Sequence, residues 1–483
     1  MTWSTLERTS HLEELHTVSP VDTWQLRARF ARRLSDLYGT EVPAYTTLLE
    51  VSNQVNADVL RHQGGAAERL GSIARVTAER HGAIRVGTPV ELAQAARIFA
   101  ALGMHPAGFY DLRDAVPAPI PVVSTAFRPT DRDELARNPF RVFVSLLVPE
   151  DRRFFDADLA ARLTAFLQAR RLFPEELLRL ADRAETGGGL EADDAERFLD
   201  LAGASFALSS EPVDRAWYTE LERVSSVAAD IGGVTTTHIN HLTPRVLDID
   251  ELYRRMSARG IEMIDRIQGP PRWEGPDILL RQTSFRALAE PRRFREADGT
   301  VAQGTLRVRF GEVEARGVAP TPAGLVRYEA MLAVCDRRCT ESPDTAREEI
   351  MQGVWREHLP PSEHGLVVQD LAFFSFRVNP DLPRRGTPPQ DLAALLTGGW
   401  VVADPIVYED FLPRSAAGIF ASNLTSQGNL DDSEGGAPRD RAWMAQAIGR
   451  PVADPARLYA AQREASLACV AKELGLARVE LPR

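Results

Sequence analysis

Cysteine is scarce in this chain. Only three of its 483 residues are cysteines, Cys335, Cys339 and Cys469. Three thiols cannot form the set of disulfides that stabilises small secreted proteins, so a reducing, cytoplasmic location is expected. Cys335 and Cys339 are four positions apart, but no second pair or nearby histidine completes the four ligands of a closed zinc site. We interpret both as ordinary helix residues.

Long apolar runs and an excess of positive charge are also missing. No run of 18 apolar residues occurs, so no membrane-spanning helix is predicted. Residues 1–33 are charged throughout and lack the apolar segment of a signal peptide. The formal net charge is −11, which argues against nucleic acid or an anionic membrane as a partner.

Histidine is uncommon too, yet two of the nine histidines lie close together in the segment 237–245. β-Branched residues precede this segment and Pro244 follows, a pattern typical of a short strand that ends at a turn. Side chains on a strand alternate between two faces, so His238 and His241 are expected to point in opposite directions. The segment therefore offers one metal ligand or base, or only polar strand residues, and further ligands must come from elsewhere.

A second histidine lies beside an arginine in the segment 79–87. His81 and Arg85 are four positions apart, which puts them on one face of either a helix or a strand. An imidazole and a guanidinium can then enter one cavity, and an arginine beside a metal ligand suits a carboxylate substrate. The alternative interpretation is a histidine at a helix end with a solvated arginine.

The strongest strand pattern covers residues 305–318, where apolar residues alternate with Arg307 and Arg309. It continues through Glu312 and Glu314, which share one face because strand side chains repeat with a period of two. Two carboxylates on one face repel each other unless a cation or an arginine lies between them. Either a metal-binding face or a solvated edge strand fits this pattern.

The remaining patterns predict an α+β protein. Helices are expected over 22–39, from the capping box that begins at Thr88 to Leu102, through 151–229, over 248–259 and over 455–474. Buried strands or short helices are expected over 122–127 and 140–147, and strands over 278–285 and 372–378. Few boundaries are visible, so we predict one large interlocked domain over 1–483. It would contain an extension at 1–20, a mainly helical part at 21–230, and a metal-binding β core with C-terminal helices at 231–483.

Strand, helix, strand and strand follow one another between residues 237 and 318, which fits a βαβββ-type unit. Such units build the half-barrels of vicinal-oxygen-chelate proteins, which hold a divalent metal with histidine and glutamate side chains.

Short motifs along most of the chain resemble one enzyme family. They are ERHGAIRVGT, STAFRP with ARNPFRVF, HINHLTPR with LDID, LLRQTSF, RFGEVEARGVA, GWVVADPI and YEDFLPRSAAGIF. The chain resembles the 2-oxoadipate dioxygenase/decarboxylases, also called 2-hydroxyglutarate synthases, of bacterial lysine catabolism. The resemblance implies a vicinal-oxygen-chelate-like β half-barrel core surrounded by helices, with Fe(II) as cofactor. It also implies that 2-oxoadipate and O2 are converted to 2-hydroxyglutarate and CO2.

The same resemblance implies a set of site residues. The metal ligands would be His81, His241 and Glu314, with Glu312 as second choice because both glutamates share a face. Arg85 and His81 would be the catalytic residues and would contact the substrate, and the GWVV loop would add a main-chain contact at Val402.

Two other interpretations remain open from the sequence. The same fold could serve a metal-dependent isomerase, lyase or extradiol dioxygenase. The chain could also be a non-catalytic metalloprotein that binds small dicarboxylates.

Overall fold

The computed structural model of the chain describes residues 20–115, 119–307, 309–381, 386–412 and 436–482. Parts of three predicted features lie outside these residues. They are residues 1–19 of the extension, Val308 in the long strand pattern, and residues 413–420 of the last motif.

Helices and strands are interspersed along the described residues, and several helices follow one another directly. The helices are α1 (Thr23–Glu41), α2 (Pro43–Gln63), α3 (Ile73–Ala78), α4 (Pro89–Ala101), α5 (Arg132–Arg137), α6 (Ala157–Ala169), α7 (Glu175–Gly187), α8 (Ala192–Ser205), α9 (Arg215–Val224), α10 (Ser226–Gly232), α11 (Ile249–Ala258), α12 (Pro322–Glu341), α13 (Arg347–His358), α14 (Glu363–Val368), α15 (Leu392–Thr397), α16 (Arg441–Ile448) and α17 (Pro455–Leu474).

The strands have two to seven residues each. They are β1 (Val21–Asp22), β2 (Arg80–Val86), β3 (His105–Asp111), β4 (Val122–Arg128), β5 (Arg141–Leu147), β6 (Gly189–Leu190), β7 (Val213–Asp214), β8 (His241–Pro244), β9 (Leu280–Phe285), β10 (Glu290–Arg295), β11 (Val301–Leu306), β12 (Gly311–Arg316), β13 (Phe374–Val378) and β14 (Val401–Pro405).

One five-stranded sheet in the order β3-β4-β5-β2-β8 forms the centre. Strands β2 and β5 are parallel, and the other neighbouring pairs are antiparallel. The pair β12-β9 continues this sheet beyond β8, because Arg245 and Glu314 form a bridge and the Val246 N–H donates to the Glu314 carbonyl at 2.8 Å. Strands β2, β8 and β12 are therefore consecutive across the sheet.

The two faces of this sheet bury different hydrophobic clusters. Ile84 and Val144 point to the outer face, which packs against α1, α2, α4, α7 and α8. Ala83 and Phe143 point to the opposite face, here called the inner face, which packs against α6, α9 and α10. A third cluster joins α12, α13 and α17 with the hairpin β13-β14. Polar side chains at the odd positions of β2 consequently face the inner side.

Several predicted elements are confirmed. Thr88 accepts from the Glu91 N–H at 3.1 Å, and the Glu91 carboxylate accepts from the Thr88 N–H at 3.2 Å, so α4 begins with the expected capping box. The helices predicted at 22–39 and 455–474 correspond to α1 and α17. Among the described residues, no helix combines the length and apolar character needed to cross a bilayer.

The central sheet takes its strands from both sides of residue 230. Strands β2, β3, β4 and β5 all lie within residues 21–230, which the sequence predicted to be mainly helical. Their runs are short and buried on both faces, so they lack the alternation that distinguishes a strand from a buried helix. The β core is built from both parts of the chain.

The long strand predicted over 305–318 is also divided. β11 ends at Leu306 opposite Glu290, and β12 begins at Gly311 opposite Phe285. Between them the Arg309 side chain is buried against the carboxylates of Glu290 and Glu41. These tertiary contacts of Arg309 are not predicted by alternation alone.

One buried carboxylate connects the strands of the inner face. Glu79 lies just before β2 and is fully buried. It accepts from Arg141 of β5, from Arg245 Nη1 after β8 at 2.9 Å, and lies 3.3 Å from Arg316 Nε of β12. Burial opposes ionisation of Glu79, but the nearby guanidinium groups of Arg141 and Arg245 outweigh it and lower the pKa of this carboxyl.

Replacing this carboxylate is expected to destabilise the fold. Glu79→Gln would take the carboxylate partner from Arg245 and one of the counter-charges from Arg141 and Arg316, so the free energy of unfolding should fall by about 3–5 kcal/mol. The measurement is urea unfolding with linear extrapolation to zero denaturant. Glu196→Gln is the matched control, because Glu196 pairs with Arg29 and Arg33 at a side-chain exposure of 52%. It should cost less than about 1 kcal/mol, and equal losses in both variants would contradict the role of Glu79.

Candidate active site

Three consecutive strands bring together two histidines and a glutamate. His81 is the second residue of β2, His241 is the first residue of β8, and Glu312 is the second residue of β12. In the β2-β8 register, Thr243 is opposite His81 and Ala83 is opposite His241. Since these positions share the inner face with Ala83, their side chains converge there.

The geometry of this group fits a metal ion. His81 Nε2 lies 3.3 Å from Glu312 Oε2, and His241 Nε2 lies 3.6 Å from the same oxygen. One ligand atom from each residue lies within 4.8 Å of the others, and all three side chains are buried. Two ligands bound at right angles about 2.1 Å from an ion stand about 3 Å apart. The three residues form a group that could hold a metal ion.

The protonation states of the group also suit a metal. Burial lowers the pKa of His241 to about 4 despite the attraction of Glu312, so the ring is neutral at pH 7, the form that binds metals. Burial opposes ionisation of Glu312, but His241 and His81 outweigh it and lower the pKa of this carboxyl. The Thr243 hydroxyl donates to Glu312 Oε2 at 3.3 Å.

Two ring nitrogens of the group make no hydrogen bond among the described residues. They are His81 Nδ1 and His241 Nδ1, and both are buried. Unpaired buried nitrogens are rare in protein interiors. The Nε2 atoms of both rings face Glu312 instead.

Glu314 lies on the opposite side of the His81 ring from Glu312. Its oxygens accept from Arg316 at 2.7 and 2.9 Å, and its Oε2 lies 3.2 Å from His81 Nδ1. Burial opposes ionisation of Glu314, but Arg316 outweighs it and lowers the pKa to about 2. Burial likewise opposes protonation of His81, while Glu314 and Glu312 outweigh it and raise the pKa of that ring. The two glutamates of β12 therefore have different partners although they share a face.

Arg85 lies on the same face at the far end of β2. Its Nη1 donates to Asp230 of α10, and both side chains are 3% exposed. Ser145 of β5 is in register with Arg85, and its hydroxyl lies 3.0 Å from that of Ser124 in β4. A guanidinium and two hydroxyls thus form one polar row on the inner face.

His238 lies apart from the metal-binding group. Its Nε2 is 3.5 Å from Asp230 Oδ1 and 3.1 Å from Asn240 Nδ2. Burial lowers the pKa of His238 to about 4, against the attraction of Asp230, so this ring is neutral as well. The structure therefore brings His241 to His81 and places His238 near Arg85.

Aromatic side chains enclose the histidines. The Phe411 ring meets the His81 ring edge-to-face with a centroid distance of 4.9 Å. Phe310 lies 5.3 Å from the His241 ring, and Phe143 lies 4.7 Å from Phe411. These contacts keep water from the described sides of the group.

The first residues of the YEDFLPRSAAGIF motif hold Phe411 in position. Glu409 pairs with Arg75, and Asp410 accepts from Arg128 Nε at 2.9 Å and from the Tyr459 hydroxyl. The motif therefore anchors an aromatic residue through buried ion pairs.

Sequence reasoning missed two polar residues of this site. Thr243 could have been found, because a period of two places it on the face of His241. Asp230 lies in a helix with no distinctive pattern, so only the structure brings it to Arg85. The backbone of Val402 pairs with that of Arg377 in the antiparallel pair β13-β14. Its predicted contact with the substrate stays a prediction.

A family model described as 2-oxoadipate dioxygenase/decarboxylase matches residues 30–423, well over half of the chain. The chain belongs to the 2-oxoadipate dioxygenase/decarboxylase family. The relative of that name from Mycobacterium bovis is 57% identical over 440 residues, which cover 91% of this chain and 96% of the relative. The one from Escherichia coli is 42% identical over 450 residues, which cover 92% and 97%.

A solved member of the 2-oxoadipate dioxygenase/decarboxylase family has the same fold. The hydroxyglutarate synthase from Pseudomonas putida in complex with 2-oxoadipate is 37% identical, with a TM-score of 0.81. The match covers 95% of this chain and 99% of that one. The expected family and the α+β fold class are confirmed.

Proposed function

We propose that this protein is an Fe(II)-dependent enzyme that converts 2-oxoadipate and O2 to 2-hydroxyglutarate and CO2. The reaction is balanced, because both oxygen atoms of O2 appear in the two products. Family membership and a solved relative with 2-oxoadipate bound support the substrate. The buried group of His81, His241 and Glu312 is the single observation that carries the proposal to this chain.

We infer that His81, His241 and Glu312 hold the iron. Two histidines and one carboxylate are the donor set typical of non-haem Fe(II) oxygenases. When bound, Fe(II) would supply a Lewis acid that chelates a 2-oxo acid and a redox centre for O2. Glu312 is preferred over Glu314 because its oxygen lies near both histidines, whereas Glu314 is occupied by Arg316.

Glu314 would orient the metal ligand His81 without binding the metal itself. Its carboxylate lies 3.2 Å from His81 Nδ1, so it can accept the proton of that nitrogen and leave Nε2 to bind the metal. Such an outer carboxylate fixes the orientation of the ring and increases its basicity. Arg316 keeps Glu314 ionised, which preserves its capacity as an acceptor.

Arg85 would bind the distal carboxylate of the substrate. Four residues of extended strand separate the Cα atoms of His81 and Arg85 by about 13 Å. Both side chains project from the inner face of β2, so a dicarboxylate held at the metal by its 2-oxo end can extend toward the guanidinium. Ser145 and Ser124 lie in the same row and offer hydroxyls to the same end.

Phe411 and Phe310 would exclude water from the metal end. Their rings pack on the two histidines at 4.9 and 5.3 Å. Exclusion of water strengthens electrostatic interactions with the substrate and limits side reactions of O2.

Oxygen consumption by the iron-loaded protein tests the proposed function. With 2-oxoadipate, an oxygen electrode should record uptake, and each O2 consumed should give one CO2 and one 2-hydroxyglutarate. The metal-free protein and the His241→Ala variant should show none. A wild-type protein with full iron that binds 2-oxoadipate without consuming O2 would instead be a binding protein or an isomerase.

The identity of the carboxylate ligand gives a sharper prediction. Glu312→Ala should lose nearly all bound metal, since it removes one of three ligands. Glu314→Gln should keep the metal with affinity reduced by about 10–100-fold, the usual effect of losing an outer carboxylate. Metal content by elemental analysis and metal titration measure both. His238→Ala is the matched control and should retain wild-type metal content; full metal in Glu312→Ala with loss in a Glu314 variant would reverse the assignment.

A second prediction concerns the guanidinium of Arg85. Arg85→Lys retains the charge but loses the planar fork of donors. The transition-state stabilisation derived from kcat/KM for 2-oxoadipate should therefore fall by roughly 1.5–3 kcal/mol, with metal content unchanged. Preference over a 2-oxo monocarboxylate of equal length should shrink, because only the dicarboxylate uses the fork. An unchanged preference would assign Arg85 to the carboxylate that both substrates share, and unchanged kinetics would remove it from the site.

A further inference from the structure

Arg85 is held by a buried network that the proposed metal chemistry does not use. Asp230 of α10 accepts from Arg85 Nη1, and its Oδ2 also accepts from Asn240 Nδ2 at 3.0 Å. His238 Nε2 lies 3.5 Å from the other oxygen of Asp230. We propose that Asp230 is a positioning residue, which fixes the Arg85 guanidinium where the distal carboxylate of a dicarboxylate substrate binds. This inference rests on the proposed function.

The network has the connections that positioning requires. Arg85 is attached to β2, whereas Asp230 is attached to α10, so the ion pair joins two elements that enclose the inner face. Asp230 is itself fixed from the segment before β8, through Asn240 and His238. Asn240 Nδ2 also lies 3.1 Å from His238 Nε2. A long, flexible arginine side chain is thereby held at a defined place before the substrate arrives.

The charges of the network also favour this role. Burial lowers the pKa of His238 to about 4, against the attraction of Asp230. Burial opposes ionisation of Asp230, but His238 and Arg85 outweigh it and lower the pKa of this carboxyl. Asp230 therefore balances the buried Arg85 in the absence of substrate. A guanidinium presents five N–H donors, so one carboxylate can hold it while a second is recognised by the same group.

Positioning has consequences for specificity. When the guanidinium is already ordered, less conformational entropy is lost on binding. The affinity for the ligand end that it contacts is therefore higher. A 2-oxo monocarboxylate of the same length lacks the distal carboxylate, so its affinity does not depend on whether Arg85 is ordered. Asp230 would thus raise the preference for dicarboxylates without touching the substrate or the metal group.

Substitution of Asp230 tests this inference. Asp230→Asn keeps the size of the side chain but removes the charge that holds Arg85, so 2-oxoadipate should bind about tenfold more weakly or worse. Binding is measured by calorimetry on protein loaded with Fe(II) under anaerobic conditions, which is a readout other than turnover. In kinetics KM should rise while kcat changes by less than about threefold, and preference over 2-oxohexanoate should fall in proportion to the binding loss.

Controls separate positioning from damage to the fold. Metal content of Asp230→Asn should equal that of wild type, and Asp230→Glu should recover part of the lost affinity because it restores the charge. Glu222→Gln removes one carboxylate from the exposed side of α9 and should leave affinity unchanged. If Asp230→Asn does not fold, Asn240→Ala serves instead, since it keeps the ion pair but removes one contact to Asp230 and should weaken binding in the same direction.

The outcomes distinguish this inference from the proposed function. Unchanged affinity and preference in the folded Asp230→Asn variant, with normal wild-type turnover, would overturn the role of Asp230 alone. Tighter 2-oxoadipate binding would also overturn it, because Asp230 would then be a competitor of the substrate. A wild-type protein that neither binds nor consumes 2-oxoadipate would refute the proposed function.

Discussion

The buried carboxylate of Glu79 is the contact on which the arrangement of the inner face depends. Arg141, Arg245 and Arg316 reach it from β5, from the end of β8 and from β12, and its removal would take one counter-charge from each of these buried guanidinium groups. These strands adjoin β2 or carry the other residues of the site. The ion pairs therefore join the strands that present His81, His241 and Glu312 from the side of Glu79.

The same ionic network gives two similar residues different chemistry. Glu312 and Glu314 share a strand, a face and nearly complete burial. Arg316 is the next residue on that face, and it lies beside Glu314 and donates to it. The arginine binds Glu314 and leaves Glu312 beside the two histidines. One strand thus provides both a carboxylate suited to a metal and a carboxylate suited to orienting His81.

Local patterns predicted the elements but not the contacts between them. A period of two correctly put His81 with Arg85 on one face, and the capping box located the start of α4. The choice between Glu312 and Glu314 could not be made from the sequence, because it depends on how β12 docks beside β8. The interruption at Arg309 and the role of Asp230 likewise depend on partners far away in the chain, Glu41 and Arg85.

The two ends of the proposed substrate site differ in the charges that surround the substrate. At the metal end, burial lowers the pKa of His241, and the two histidines lower the pKa of Glu312 against the effect of burial, which suits a cation. At the other end, Arg85 is already balanced by Asp230, so an arriving carboxylate must share the guanidinium with a fixed partner. Shared binding keeps the arginine ordered before the distal carboxylate arrives, so less conformational freedom is lost when that carboxylate binds.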